Sequence, residues 1–234
     1  RRRVSLTWFT AGGLYPILDR DTCLARGINP VDLLRSWEQL GLSYYQWRAK
    51  GLTAGEYLGE ARRLREACPG LRLIANDYSE AVVEDPELFS GLHLGQEDLL
   101  GLGETGTAHL RQWSAQKGEF LLGLSTHSPE QIQAAKDSWW TYLALGPCYA
   151  TNSKPGGRDP VLASGDLRRA MEVLNGRPIP LVLIGGIHSE NIQELMRHIS
   201  ETNRSAPTVV AVIGAALDPR EIERLLLVAG EHNA

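Results

Sequence analysis

Two short apolar runs in this chain end in carboxylates. Leu73-Ile74-Ala75 leads straight into Asn76 and Asp77, and Gly91-Leu92-His93-Leu94 meets Gly95 and then Gln96, Glu97 and Asp98. That is the profile of buried strands whose C-terminal ends open into loops built to hold something. Two adjacent strands of this kind can aim Asp77 and Asp98 at one divalent cation. Other apolar runs end in Gln46, Arg48 and Lys50, in Ser125 and His127, and in a polar loop with Thr151, Ser153 and Lys154. Gly185-Gly186 and Ile213-Gly214 close two more. Cations, paired carboxylates, an amide and hydroxyls suit a polyphosphate with Mg²⁺, which takes one or two carboxylates and fills its remaining positions with phosphate oxygens and water. The cations would neutralise the phosphate charge that the metal leaves.

Such scattered residues act together only if a fold gathers them. Strand signals are expected at Leu14–Leu18, Ser43–Arg48, Leu71–Ala75, Gly91–Leu94, Phe120–Leu124, Trp140–Leu145, Pro180–Ile184 and Thr208–Ile213. Helical signals lie between them. Asn29-Pro30 is a cap followed by Pro at the first helical position, with Val31, Leu33, Leu34, Trp37 and Leu40 at helical spacing. Thr53 caps a second helix and Ser128-Pro129 opens another. Ser189 is expected to open a helix carrying Ile192, Leu195 and Met196, and Pro219 the final one. Between Leu99 and Lys117 only a modest helix around Ala108–Trp113 is predicted. Eight strands alternating with helices describe an α/β fold, a single (β/α)8 TIM barrel, in which every strand C-terminus faces one mouth. An open doubly wound sheet fits less well, because polar and glycine signals follow nearly every strand rather than one switch point. Glycines after strands seven and eight fall where barrels bind a phosphate through backbone N–H groups. Residues 1–12 are read as an N-terminal arm of unassigned role, with Trp8 and Phe9 able to pack, and 13–234 as the barrel domain.

Each candidate also has a plainer reading. Asp77 can cap the following helix. Glu97 reads as solvated, His93 as a satisfied core histidine, and His127 as a local hydrogen-bonding group. Glycine pairs often do no more than turn a chain. Joint occurrence in order gives these residues their weight.

Composition narrows the function. With a net charge of −4 there is no global basic field for nucleic acid or an acidic membrane, so any anion site is local. The longest apolar stretches are too short and too broken by Gly to span a bilayer. Cys23, Cys68 and Cys148 are odd in number and scattered, which points to reduced thiols and a cytoplasmic location rather than a disulfide framework. No apolar segment with a cleavage site follows Arg1-Arg2-Arg3, so a secretory signal is not expected. The chain opens without Met, as a fragment or processed form would. Small phosphorylated molecules are the expected partners, and the sequence leaves a homo-oligomer open.

Gln46-Trp47-Arg48-Ala49-Lys50, Asn76-Asp77, Gly91 through Asp98, Gly123-Leu124-Ser125-Thr126-His127, Gly146-Pro147 through Lys154, and Ile184-Gly185-Gly186-Ile187 together resemble the thiamine phosphate synthase family, over about Gly13 to Leu217. The resemblance implies a TIM-barrel transferase that joins a hydroxymethylpyrimidine diphosphate to a thiazole phosphate and releases pyrophosphate. It implies that Gln46, Arg48, Lys50, Asn76, Ser125 and Lys154 hold the diphosphate, with Arg48, Lys50, Ser125 and Lys154 assisting its departure. Asp77 and Asp98 would hold Mg²⁺. Thr151, Ser153 and the backbone of Gly186, Ile213 and Gly214 would hold the thiazole phosphate. The chain departs from the family pattern at Trp47 and Ala49, at Gly214 where Ser is usual, and in a longer polar segment from Glu201 to Pro207. Two alternatives share the fold: a metal-free thiazole tautomerase, with His127 as its acid–base group, and a non-catalytic sensor of thiamine phosphates.

Overall fold

The computed structural model describes Phe9 and residues 13–136, 139–151, 160–163, 165–202 and 207–231. The strands are β1 (Leu14–Asp19), β2 (Tyr44–Arg48), β3 (Arg72–Asn76), β4 (Gly91–Leu94), β5 (Leu121–Thr126), β6 (Tyr142–Leu145), β7 (Leu181–Ile184) and β8 (Thr208–Val212). They pair in parallel and in sequence order, and β8 returns to β1, closing the barrel. The helices are α1 (Arg20–Ala25), α2 (Pro30–Gln39), α3 (Ala54–Ala67), α4 (Ser79–Glu84), α5 (Gln96–Gln116), α6 (Pro129–Ala135), α7 (Asp166–Val173), α8 (Ile192–Ser200) and α9 (Pro219–Glu231). Among the described residues, no helix is long and apolar enough to cross a membrane.

A closed barrel buries both faces of each strand, so the strands read as nearly continuous apolar runs. Their alternation separates two cores. Leu14, Leu18, Tyr45, Trp47, Leu73, Ala75, Leu92 and Leu94 face outward and pack with the helices. Tyr15, Ile17, Tyr44, Ile74, Leu121, Tyr142, Ala144, Val182, Val209 and Ala211 fill the interior. Phe9 belongs to the interior set and is fully buried, its ring 4.9–5.3 Å from those of Tyr15, Tyr44 and Tyr142. Further along the same inward rows, toward the strand C-termini, stand Asp19, Gln46, Arg48, Asn76, His93 and Ser125. The barrel is apolar in its body and polar at one mouth.

Local chemistry sets most of the boundaries. Asn29 accepts from the Val31 N–H at 2.9 Å behind Pro30, and Thr53 and Glu56 form a reciprocal capping box. Four expectations need correction. Helix α1 was not expected; Asp19 caps it by accepting from the Thr22 N–H at 2.8 Å. Helix α5 is 21 residues long, not modest, and interrupted at Gly103 (φ 64°, ψ −176°). Gly101, Gly103 and Gly106 dilute its helical signal at up to about 1 kcal/mol each, while the apolar residues packed on the barrel override that cost. Gln96, Glu97 and Asp98, expected in a loop, form its first turn, where acidic groups complement the helix N-terminus. Ser189 does not open α8; its N–H and hydroxyl donate to Glu221 of α9 at 2.6 and 2.9 Å, and the helix begins after Asn191.

Candidate active site at the barrel mouth

The carboxylate pair lies where β3 and β4 end. Asp77 has φ 67°, a left-handed conformation that Asp tolerates better than most residues. This conformation lets its N–H donate to the His93 carbonyl at 2.9 Å while its carboxylate turns across the mouth. One carboxylate oxygen accepts from the Gly95 N–H at 3.1 Å and the other pairs with the Lys50 ammonium. The side chain therefore does not cap α4, whose N-cap is Tyr78 without a side-chain bond. Asp98 approaches from the first turn of α5. A Cβ at Gly95 would stand 2.7 Å from an Asp98 carboxylate oxygen, so glycine there is the space in which the two acids meet. Partial burial, then the charge of Asp77, raise the Asp98 carboxyl above its ordinary range, against the opposing pull of Lys50. Two crowded carboxylates of this kind attract a cation. Two carboxylates suit a hard ion that fills its other positions with waters and substrate oxygens. The buried Asn76 adds a carboxamide oxygen with no hydrogen-bond partner among the described residues, an acceptor beside Asp77. The donor set present fits Mg²⁺.

Arg48 pairs with Asp19, a carboxylate only 2% exposed. Asp19 thereby holds the α1 N-terminus and the Arg48 guanidinium together. It ends a strand in the sequence, but its partner 29 positions away was not visible there. The Gln46 amide donates to the Tyr15 hydroxyl at 2.9 Å inside the barrel. A chain of contacts continues from Tyr15 to Tyr142 at 3.2 Å, to His93 Nδ1 at 2.9 Å, and from His93 Nε2 to Ser125 Oγ at 2.9 Å. His93 is thus the hydrogen-bonded interior histidine its apolar strand implied. Gln96 steadies the same corner by donating to the Ser125 carbonyl at 2.5 Å, and Glu97 is exposed.

The other half of the mouth, over β5 to β8, is a largely apolar cavity of about 550 Å³. Ser125, His127, Thr151, Gly186, Ile213 and Gly214 are among its lining residues. Gly186 has φ 64°, and a Cβ there would lie 2.5 Å from the Ala150 carbonyl oxygen, so two loops approach through its missing side chain. The Asn191 side chain, not anticipated, clamps this loop by donating to the Gly186 carbonyl and accepting from the His188 N–H, both at 2.9 Å. Gly214 begins a short 3-10 turn (Ala215–Leu217) at φ −63° with open space around its α-carbon. His127 hydrogen-bonds the Gly146 carbonyl through Nδ1 at 2.8 Å.

The fold thus gathers Gln46, Arg48, Lys50, Asn76, Asp77, Asp98 and Ser125 on one side and Thr151, Gly186, Ile213 and Gly214 on the other. Ser153 and Lys154 lie outside the described residues. Lys50 and Arg48 differ from expectation in their partners: each meets a carboxylate, Asp77 and Asp19 respectively.

A family model described as thiamine monophosphate synthase matches residues 14–215. A thiamine-phosphate synthase from Koribacter versatilis is 34% identical over 212 residues, covering 89% of this chain and 90% of that protein. Another from Pelotomaculum thermopropionicum is 30% identical over 217 residues, covering 92% and 90%. A thiamine phosphate pyrophosphorylase from Pyrococcus furiosus superposes with a TM-score of 0.71 at 22% identity, over 96% of this chain and 98% of that one, a likeness of fold. Because the family match covers all eight strands that close the barrel, and because these relatives align over nearly their whole length, the chain belongs to the thiamine monophosphate synthase family and is an enzyme of the transferase class.

Proposed function

We propose that this barrel couples 4-amino-2-methyl-5-(diphosphomethyl)pyrimidine with a thiazole phosphate, giving thiamine phosphate and pyrophosphate. The observation that carries the reading is the Asp77–Asp98 pair with Lys50 against it, opening into the same mouth as a cavity edged by glycine backbone. Asp77 and Asp98 would hold Mg²⁺, which when bound neutralises charge on the departing pyrophosphate. Gln46, Arg48, Lys50, Asn76, Ser125 and Lys154 bind the diphosphate. Their donors matter most as the C–O bond breaks and negative charge collects on the leaving group. The bond ionises to a pyrimidine-methyl cation, which the thiazole nitrogen captures. Thr151, Ser153 and the N–H groups of Gly186, Ile213 and Gly214 fix the thiazole phosphate, and the apolar cavity holds the ring with its nitrogen toward the cation. Proximity then stands in for a side-chain nucleophile. Excluding bulk water from the cavity protects the cation from hydrolysis.

The test is an assay with both substrates that reads thiamine phosphate and pyrophosphate, with Mg²⁺ and after chelation. Equimolar products that depend on the metal support the reading. Aromatisation of a thiazole tautomer with no pyrophosphate would instead identify the metal-free isomerase that uses His127. Binding of thiamine phosphate without turnover would identify the sensor.

A further inference from the structure

The interior chain joining Gln46 to Ser125 can run in two directions, and the orientation of the Gln46 amide selects one. The Gln46 amide nitrogen carries only hydrogens, so the Tyr15 oxygen accepts from it at 2.9 Å. In that arrangement the Tyr15 hydrogen goes to Tyr142, whose oxygen is 3.2 Å away, and the Tyr142 hydrogen to His93 Nδ1 at 2.9 Å. With Nδ1 accepting, a neutral imidazole carries its proton on Nε2 and donates it to Ser125 Oγ at 2.9 Å. The Ser125 oxygen is then occupied as an acceptor by His93, and its own hydrogen, which meets no acceptor among the described residues, is left for the mouth. Both tyrosines are fully buried, and burial raises their hydroxyls well above the ordinary range, so they remain protonated donors.

The chain is built into the packing. Tyr142 occupies the volume that a side chain on Gly123 would fill, since a Cβ there would overlap the phenol ring and hydroxyl. The His93 ring lies stacked against that of Tyr142, planes 18° apart. Phe9 packs beneath both tyrosines. A reversed Gln46 amide would reverse every link, leaving Ser125 to donate to His93 and to turn a lone pair toward the mouth. An anionic diphosphate needs the first arrangement.

We propose that His93, through the Gln46–Tyr15–Tyr142 chain, is a positioning residue that holds the Ser125 hydroxyl as a donor toward the departing diphosphate. This rests on the coupling reaction proposed above. The direction itself is a property of the unliganded protein. The experiment therefore has two arms.

The first is the side-chain ¹⁵N spectrum of uniformly labelled protein near neutral pH, with the His93 signals assigned by their loss in His93→Gln. The expected result is a neutral ring protonated at Nε2, shifting toward a tautomer mixture in Tyr142→Phe, which removes the donor to Nδ1. A ring protonated at Nδ1, or a Tyr142→Phe spectrum like wild type, overturns the proposal. The second arm is steady-state kinetics. His93→Gln places an amide N–H near the Nε2 position, and His93→Phe has no donor. Loss of one hydrogen bond to a charged transition state lowers kcat by roughly 10-fold or more. His93→Phe should show that loss with little change in the KM for the thiazole phosphate, and His93→Gln should recover most of it. Equal kinetics for the two variants overturns the role. If the wild-type protein forms no thiamine phosphate, the coupling reading fails on its own, and the ring tautomer still decides the direction of the chain.

Discussion

At the residue scale, the site depends on like charges held close. Asp77 and Asp98 are brought together by a left-handed backbone at one and a glycine beside the other, and their repulsion is a cost of folding that a cation relieves. Mg²⁺ should therefore raise the melting temperature of the wild-type protein, because a ligand that binds only the folded state stabilises it. In Asp98→Asn the metal-induced shift should shrink or vanish, measured by differential scanning fluorimetry with and without chelator. Both Asp77→Asn and Asp98→Asn should lower kcat by roughly 100-fold or more, comparable to or beyond the loss of an oxyanion donor. A normal rate in Asp77→Asn would remove the metal assignment. Chemical modification offers a contrasting test. Burial pushes the Cys148 thiol up to about 12 and the Cys23 thiol up to about 11, so both stay protonated at neutral pH. Alkylating reagents should modify them slowly, read by mass spectrometry of the native protein.

At the scale of elements, the loops after β7 and β8 differ in what they tolerate. Gly186 is left-handed and confronts the Ala150 carbonyl, so Gly186→Ala must move one loop or the other. Strain of this kind costs about 1–3 kcal/mol. Its expected signature is a KM for the thiazole phosphate raised about 10-fold, with the KM for the pyrimidine diphosphate little changed. Gly214 has an ordinary helical φ and open space, so Gly214→Ser should fit without strain. The hydroxyl that the family usually carries there should lower the same KM by about 3-fold, the worth of one modest hydrogen bond. An unchanged KM for the thiazole phosphate in both variants would mean that neither backbone lies at the phosphate. The clamp of Asn191 on Gly186 and the tie of Ser189 to Glu221 hold this loop from two sides, which explains how a glycine-rich turn keeps a fixed shape.

At the scale of the molecule, the barrel is plugged from outside its own strands. Phe9 precedes β1 yet fills the interior beneath the tyrosines, and its backbone carbonyl accepts from the Tyr44 hydroxyl. Removing the ring leaves a cavity within a rigid cylinder that cannot collapse around it. Phe9→Ala should cost about 3–5 kcal/mol in denaturant unfolding, the range of large core truncations. The same floor supports Tyr15 and Tyr142, so the loss should also reach the mouth as a lower kcat. An unfolding midpoint equal to wild type would show that Phe9 is dispensable.

The sequence by itself determined the strand count, the caps at Asn29, Thr53 and Ser128, and which strand ends carry carboxylates, cations or glycines, whereas the sorting of each strand's residues into inner and outer faces came from the closed barrel. These are legible because period, capping and turn chemistry act over a few residues. The extent of α5 was not legible: three glycines weakened its local preference, and only packing against the barrel restored it. Nor were the partners of the charged residues. Arg48 meets Asp19 across 29 positions, Lys50 meets Asp77 across 27, and Tyr15 meets Tyr142 across 127. The tertiary structure alone decided those pairs. Closing the sheet brings strand ends together at distances set by register and stagger, and a one-dimensional pattern carries no trace of which inward side chain will face which.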